Sequence, residues 1–133
     1  MRKIDLADDN FCFVCGKKNK YGLRIDFELT PDEKLKAEFT PEKIHQGFKD
    51  IVHGGIIGMI LDEAMVNLLW KLGITAVTAD LNLRLVKPAI VNKKLFFEAK
   101  IKEKQKKIII TEAICKNEKG QKIAQANAKC LKV

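Results

Sequence analysis

The sequence predicts an α+β fold, with an antiparallel β-sheet of about six strands wrapped around one long central α-helix. The helix is predicted by the longest apolar run, residues 51–73, whose second half is rich in Leu, Met and Ala. The sheet is predicted by segments on both sides of this run in which apolar and polar residues alternate, as in half-buried strands. A helix that is apolar on most sides must be enclosed, so the sheet is expected to pack against it.

Two strands are predicted before the helix. Residues 21–30 alternate, with Leu23, Ile25, Phe27 and Leu29 on one face. Residues 35–39 alternate again after a turn, so the two segments are expected to form a hairpin. In the helical run, His53-Gly54-Gly55 provides a flexible entry and Gly73 a stop.

Four strands are predicted after the helix, over residues 74–88, around residues 95–101, over residues 108–116 and, after a turn at residues 117–120, over the last segment. In the first of them, Ala79 and the following leucines should face one way, and Thr78, Asp80 and Asn82 the other. The last strand places small residues on one face, which would let the helix lie close to the sheet; they are Ala124, Ala126, Ala128 and Cys130.

Length and composition describe one globular domain over residues 1–133, without a disordered or fibrous character. The charged start of the chain lacks an apolar signal core, so a cytoplasmic protein with reduced thiols is expected. A membrane span is the less favoured interpretation of the apolar run. Asp62 and Glu63 lie in its middle, where each charge costs about 2.5–3.5 kcal/mol on insertion.

The net charge is +8 and comes mostly from lysine. An anionic ligand such as a phosphorylated cofactor, a nucleic acid, or simply a solvated lysine-rich face would each explain it. Only three arginines are present and aromatic residues do not alternate with the basic ones, which disfavours nucleic-acid binding.

Two features of the helical run could carry chemistry. Glycines at a helix start leave backbone N–H groups accessible beside the positive end of the helix dipole, which suits an oxyanion, although they also serve tight packing. Asp62 lies on the more apolar side of the helix, where it is either a general base or nucleophile or a buried acid held by a structural hydrogen bond. Glu63 is interpreted as a structural or solvated partner of Asn67 and Lys71.

The spacing of these two features has a consequence for assembly. Gly54 and Asp62 are eight residues apart, which is about 12 Å along a helix. An oxyanion donor and a base that act on the same carbonyl must both lie close to the reacting atoms. If both act together, the second group must therefore come from an antiparallel helix of a neighbouring subunit, which predicts a composite site across a two-fold dimer.

Together, His53-Gly54-Gly55, an acid nine residues after the histidine, and Thr78-Ala79-Asp80-Leu81-Asn82 resemble the hotdog-fold acyl-CoA thioesterases of the phenylacetate-pathway type. The N-terminal Cys12-Phe13-Val14-Cys15-Gly16 motif is similar to that of a subgroup of this superfamily. One departure is Lys20, where the subgroup usually has proline. The resemblance covers nearly the whole chain, and it implies a homodimer or dimer of dimers that hydrolyses an acyl-CoA to a free acid and CoA, without a cofactor or a membrane or nucleic-acid partner.

The resemblance also implies roles for individual residues. Gly54 matches the backbone oxyanion donor and Asp62 the catalytic carboxylate. Thr78 matches a hydroxyl that positions the attacking water, and His53 matches a histidine that orients the site. Substrate contacts are assigned to Gly55, Gln46, Gly47 and Asn82.

The cysteines are expected to be structural thiols rather than metal ligands. Cys12-x-x-Cys15 alone is a weak metal or redox signal. If Cys115 pairs near Lys122 across the last hairpin, Cys130 lies about 27 Å farther along the strand, too far to join a common metal.

Two other functions remain open beside hydrolysis. A hotdog dehydratase is disfavoured, because neither His45 nor His53 has an Asp five residues ahead. A non-catalytic acyl-CoA-binding protein would keep the pocket without needing Asp62.

Overall fold

The apolar run forms one helix, α1, over Gly54–Lys71 of the computed structural model, which describes residues 5–133. Its end is a Schellman motif: Gly73 has φ +79°, its N–H donates to the Trp70 carbonyl, and the N–H of Ile74 donates to the Leu69 carbonyl. The positive φ needs a residue without Cβ strain, which explains why the helix stops at this glycine. Residues 1–4, on which the localisation prediction partly depends, lie outside the described part.

Within residues 5–133, six strands form one sheet against the helix and confirm the predicted hotdog fold. They are β1 (Glu28–Leu29), β2 (Leu35–Phe39), β3 (Ala76–Leu85), β4 (Leu95–Lys104), β5 (Ile108–Asn117) and β6 (Lys122–Lys132). All neighbours pair antiparallel in the order β1-β2-β4-β5-β6-β3. A short 3-10 helix, Lys43–His45, precedes α1. Strand β3 follows the helix in the chain but lies at the sheet edge, where only β6 pairs with it among the described strands.

The core lies between α1 and the concave face of the sheet. Ile60, Leu61, Met65 and Leu68 of the helix are fully buried against it. The small residues predicted for β6 are all buried, as expected for close helix approach. Gly58 and Gly54 serve the same purpose toward β3, since a Cβ on them would lie 2.7 Å from Leu83 Cδ2 and 2.6 Å from Leu85 Cδ1 respectively.

The predicted first strand is much shorter than residues 21–30. Ile25 and Phe27 are buried as the alternation requires, but only Glu28–Leu29 is a strand. The preceding residues use their amides differently: Leu23 donates to the Phe13 carbonyl and Ile25 to the Val14 carbonyl. Residues 13–14 thus pair with residues 23–25 where a neighbouring strand is expected. The alternation of apolar and polar residues does not show which segment will be the hydrogen-bond partner.

Two register details also differ from the prediction. A bulge between Thr78 and Asp80 reverses the alternation of β3, so Thr78 faces the helix and not the side of Asp80. In the last hairpin Cys115 pairs with Ala124 rather than near Lys122. A second bulge, between Cys115 and Lys116, shifts the register there, so that Lys116 is the residue that pairs with Lys122. Cys130 is then about 20 Å along the strand from Ala124, still too far to share a metal with Cys115.

No helix within residues 5–133 has both the length and the apolar character needed to cross a membrane.

Candidate active site

A hydroxyl group on strand β3 holds the carboxylate of Asp62 in place. Thr78 Oγ1 donates a hydrogen bond of 2.8 Å to Asp62 Oδ1, and both residues are half-buried. The bulge after Thr78 makes this contact, because it turns the Thr78 side chain toward α1. The sequence places these residues 16 positions apart, and the structure brings them together.

The thiol of Cys130 extends this contact into the core. Cys130 pairs with Thr78 across β3 and β6, and its Sγ lies 3.9 Å from Thr111 Oγ1. Burial raises the pKa of the Cys130 thiol, with the nearby Asp62 carboxylate acting in the same direction, while hydrogen bonds from Thr111 and Thr78 oppose it. A raised pKa keeps this thiol protonated, so it is a packing group beside the carboxylate and not a nucleophile.

At the helix start, His53 is the N-cap. Its Nδ1 accepts the Gly55 N–H at 2.9 Å, and its own N–H donates to the His45 carbonyl at 2.9 Å. The Gly55 amide is therefore occupied. Among the hydrogen bonds of residues 5–133, none uses the Gly54 amide as donor, so this N–H is available at the positive end of the helix dipole.

An open groove of about 570 Å³ runs beside this helix start. Gly47, His53 and Gly54 form one part of its wall, and Leu85 and Lys87 another. The lining is mostly apolar, and its polar side chains are those of His53 and Lys87. Such a groove can accept an apolar chain with an anionic or carbonyl-bearing end.

The remaining predicted substrate residues are placed differently. Gln46 lies next to the groove, and its Oε1 accepts the Asp50 N–H at 3.1 Å. Asn82 faces the outer side of the sheet together with Asp80 and Arg84. The fold of the chain therefore does not bring Asn82 to Asp62 or to the groove.

Asp62 and Gly54, the two candidate catalytic residues, also lie apart within the chain. Asp62 is eight residues beyond Gly54 on a regular helix, about 12 Å along its axis, and does not line the groove at the helix start. The chain by itself thus has the hydrogen-bonded Asp62 carboxylate and the available Gly54 amide at two separate places.

A second cluster of titratable groups surrounds Glu63. The sequence pattern predicts only that Glu63 is a structural or solvated partner of Asn67 and Lys71. Cys12 Sγ lies 3.3 Å from Glu63 Oε1, and Cys15 Sγ lies 3.9 Å from Glu63 Oε2. All four cysteines are free thiols. Burial raises the pKa of Glu63, and burial together with the neighbouring Cys12 and Glu63 raises the pKa of Cys15 to about 12.

The Glu63 contact could have been sought in the sequence. Glu63 and Asn67 lie one turn apart on α1, and the Cys12-x-x-Cys15 motif about 50 residues earlier has no third cysteine or histidine near it in the sequence. Only the fold shows that the N-terminal segment crosses this part of the helix.

Solved structures of several proteins share this fold. A thioesterase superfamily protein matches with a TM-score of 0.87 and 21% identity over 92% of this chain; this chain spans only 60% of that protein. A hypothetical thioesterase from Streptococcus pneumoniae TIGR4, solved with coenzyme A, has a TM-score of 0.77 and 14% identity, covering 82% of this chain and 85% of that one. The E. coli PaaI protein from the phenylacetic acid degradation operon has a TM-score of 0.78 and 17% identity, covering 84% and 80%.

A sequence comparison with curated proteins finds no match. A family profile, by contrast, matches residues 49–124, the segment from the helix entry to the start of β6. The match begins after the cysteine motif, so the subgroup suggested by that motif stays a prediction. Matching more than half of the sequence, the profile identifies the chain as a member of the thioesterase superfamily.

Proposed function

We propose that the protein hydrolyses an acyl-CoA thioester to a free acid and CoA. The observation that carries the proposal is the hydrogen bond of 2.8 Å from Thr78 Oγ1 to Asp62 Oδ1. It fixes a carboxylate on the mostly apolar helix and leaves its second oxygen to accept a proton or attack a carbonyl. Membership of the thioesterase superfamily and the likeness to a fold solved with coenzyme A support the substrate class.

In the proposed reaction, Asp62 takes a proton from water as the water oxygen bonds to the thioester carbonyl carbon. The Thr78 oxygen, which donates to Asp62, can accept a hydrogen bond from the same water and so position it. The Gly54 N–H, with the helix dipole behind it, stabilises the oxyanion. Collapse breaks the C–S bond, and the proton held by Asp62 passes to the departing thiolate.

Direct attack by Asp62 is the second route open to the same groups. The carboxylate would bond to the carbonyl carbon, expel the thiolate and leave a mixed anhydride, which water then cleaves. Both routes need the same oxyanion donor. Both also end in the same products, so the geometry of the site serves either one.

The proposal includes a composite site, because Gly54 and Asp62 of one protomer are too far apart to act on one carbonyl. Strand β3 is at the sheet edge, and its side chains Leu81 and Leu85 are 41% and 53% exposed. An exposed edge with apolar side chains is an expected pairing surface. Two-fold pairing there would bring α1 of each protomer antiparallel to its partner.

Lys87, in the groove beside Gly54, is placed to attract an anionic end of the substrate. The chain's net charge of +8 favours the same class of ligand. CoA carries phosphates that lysines can meet, and the acyl chain would follow the apolar part of the groove.

The test is hydrolysis of a panel of short, long and aromatic acyl-CoAs by the wild type and by Asp62→Asn. We expect kcat of the variant to fall by about 10²–10⁴-fold while acyl-CoA binding persists. Glu103→Gln, the same chemical change at an exposed position of β4, is the matched control and should retain activity. Wild-type protein that binds acyl-CoA stoichiometrically without releasing product would instead identify a non-catalytic binding protein, and unchanged turnover in Asp62→Asn would refute the assignment of the carboxylate.

A further inference from the structure

We propose that Cys12, Cys15 and Glu63 form a binding site for a thiophilic divalent cation, with Zn²⁺ as the expected ion, that fastens the N-terminal segment to the middle of α1. One ligand atom from each of the three side chains lies within 4.8 Å of the other two. The inference rests on this geometry and is independent of the proposed hydrolysis.

The distances suit a tetrahedral ion. With Zn–S of about 2.3 Å and Zn–O of about 2.1 Å, tetrahedral ligands have an S···O separation of about 3.6 Å. The observed separations of 3.3 Å from Cys12 and 3.9 Å from Cys15 to the two Glu63 oxygens bracket this value. The two separations involve different oxygens of Glu63, so coordination through one oxygen would require these side chains to adjust.

The backbone around Cys12 is arranged to stabilise a thiolate. The amides of Val14 and Cys15 both lie 3.4 Å from Cys12 Sγ and point toward it. The Asn67 side-chain amide lies 3.6 Å from Cys15 Sγ. N–H groups directed at sulfur compensate the charge that a ligating thiolate carries and fix its orientation, as outer hydrogen bonds do around metal ligands.

Gly16 explains why the motif ends as it does. The Gly16 N–H donates to the Cys12 carbonyl at 2.8 Å, closing the turn, and a Cβ on Gly16 would collide with the backbone N and O of Cys12. Only glycine permits the backbone to fold this tightly. The turn then holds the Cys12 and Cys15 side chains on the same side, toward Glu63.

A fourth ligand position is available. A cavity of about 190 Å³ borders the three side chains and is also lined by Asp8 and Asn67. A water molecule in this cavity would complete a tetrahedron. The thiols and the carboxylate are half-buried, so an ion can reach them from solvent.

The site is structural rather than catalytic in this proposal. Glu63 follows Asp62 directly, but its side chain points about 100° around the helix, toward the cysteines and away from Thr78. An ion would join residues about 50 positions apart in the chain, a long loop closure that stabilises the folded state.

The test uses the full chain, purified under reducing conditions, stripped with a chelator and titrated with Zn²⁺ or Co²⁺. We expect one ion per chain, a rise in melting temperature with Zn²⁺, and a thiolate-to-cobalt charge-transfer band with Co²⁺. Cys12→Ala and Cys15→Ala should lose the band and the thermal shift. Cys115→Ala, which removes a buried thiol that is neither one of the three ligands nor part of the adjoining cavity, should keep both.

Glu63→Gln removes the carboxylate while keeping the side-chain size, and we expect at least about 10-fold weaker Zn²⁺ binding. This variant keeps both thiols and so provides the test if a cysteine variant fails to fold. Four results would overturn the proposal. They are no stoichiometric uptake by the reduced protein, a cobalt band that survives in both Cys12→Ala and Cys15→Ala, unchanged Zn²⁺ affinity in Glu63→Gln, and ready formation of a Cys12–Cys15 disulfide in a protein that takes up no metal.

Discussion

Thr78 of β3 donates a hydrogen bond of 2.8 Å to Asp62 of α1, and this contact exists because a bulge interrupts the alternation of the strand. Without the bulge, Thr78 would share the outer face of the sheet with Asp80 and Asn82, as the sequence pattern predicts. The irregularity thus places a hydroxyl beside the proposed catalytic carboxylate. Bulges are common next to active sites, where they redirect a side chain in this way.

Thr78→Val tests the hydroxyl as a positioning group. Valine keeps the shape of the side chain but cannot donate to Asp62, and a hydrogen bond to a charged group contributes about 1.5–3 kcal/mol. We expect kcat for acyl-CoA hydrolysis to fall by about 10- to 100-fold, with a smaller change in KM. Thr78→Ser, which restores the hydroxyl, should recover most of the loss; equal activity of the valine and serine variants would refute this role.

Gly54→Pro tests the available amide at the helix start. Proline is tolerated at the first helical position, and the preceding His53 has the extended conformation (φ −58°, ψ 128°) that proline requires. The substitution removes the N–H, and we expect kcat to fall by about 10²–10³-fold, the effect of deleting one oxyanion donor.

Gly54→Ala is the matched control for this change. It adds a Cβ in the same place, 2.6 Å from the flexible end of Leu85, but keeps the N–H. We expect it to retain most of the activity. If the alanine and proline variants lose equal activity, Gly54 matters because it leaves space in the groove, and its N–H is not the oxyanion donor.

Mixing two inactive variants tests the composite site. In a dimer of one Asp62→Asn protomer and one Gly54→Pro protomer, one site combines the intact Gly54 amide of the first with the intact Asp62 of the second. Random exchange of subunits should therefore restore about one quarter of the wild-type activity. Mixed dimers that form, as verified by mass spectrometry, but stay inactive would show that the two groups do not share a site.

His45 makes stability depend on pH. Burial lowers the pKa of His45 below its ordinary value of 6.5, although Glu42 acts in the opposite direction. Its Nδ1 accepts the Glu42 amide at 2.9 Å, which requires the neutral ring, and its carbonyl holds the N–H of His53. The unfolded chain takes up the proton first as pH falls, so this contribution is complete above pH 6.5 and is lost between there and the lower folded-state pKa.

We expect the urea midpoint of the wild type to fall on acidification through this range. His45→Gln, which keeps an acceptor but does not titrate, should show a smaller decrease. A parallel decrease in both proteins would mean that other groups dominate the acid response.

Local patterns in the sequence predicted most of the architecture. The apolar run gave α1 its position within a few residues, because a terminal glycine and a capping histidine mark its ends. Alternation located β4, β5 and β6, whose inward faces are buried as expected. It overestimated β1, because residues 23–25 bond to the N-terminal segment instead of a strand.

The candidate site was predictable in part. The residue types and their spacing marked Asp62 and Gly54 as candidates while leaving a structural role open for each, and the resemblance to the thioesterases then assigned them roles. The occupation of the Gly55 amide by His53 and the outward orientation of Asn82 were not predictable, since both depend on side-chain direction.

By itself, the sequence determined the helix, the alternating strands and the residues with chemical potential, because burial periodicity and capping are local properties. The tertiary structure decided which of those residues meet. A bulge in β3 turns Thr78 toward Asp62. Cys12 and Cys15 contact Glu63 because the N-terminal segment packs against α1, although about 50 residues separate them in the sequence. Contacts of this kind depend on strand register and loop closure, which the order of hydrophobic and polar residues does not specify.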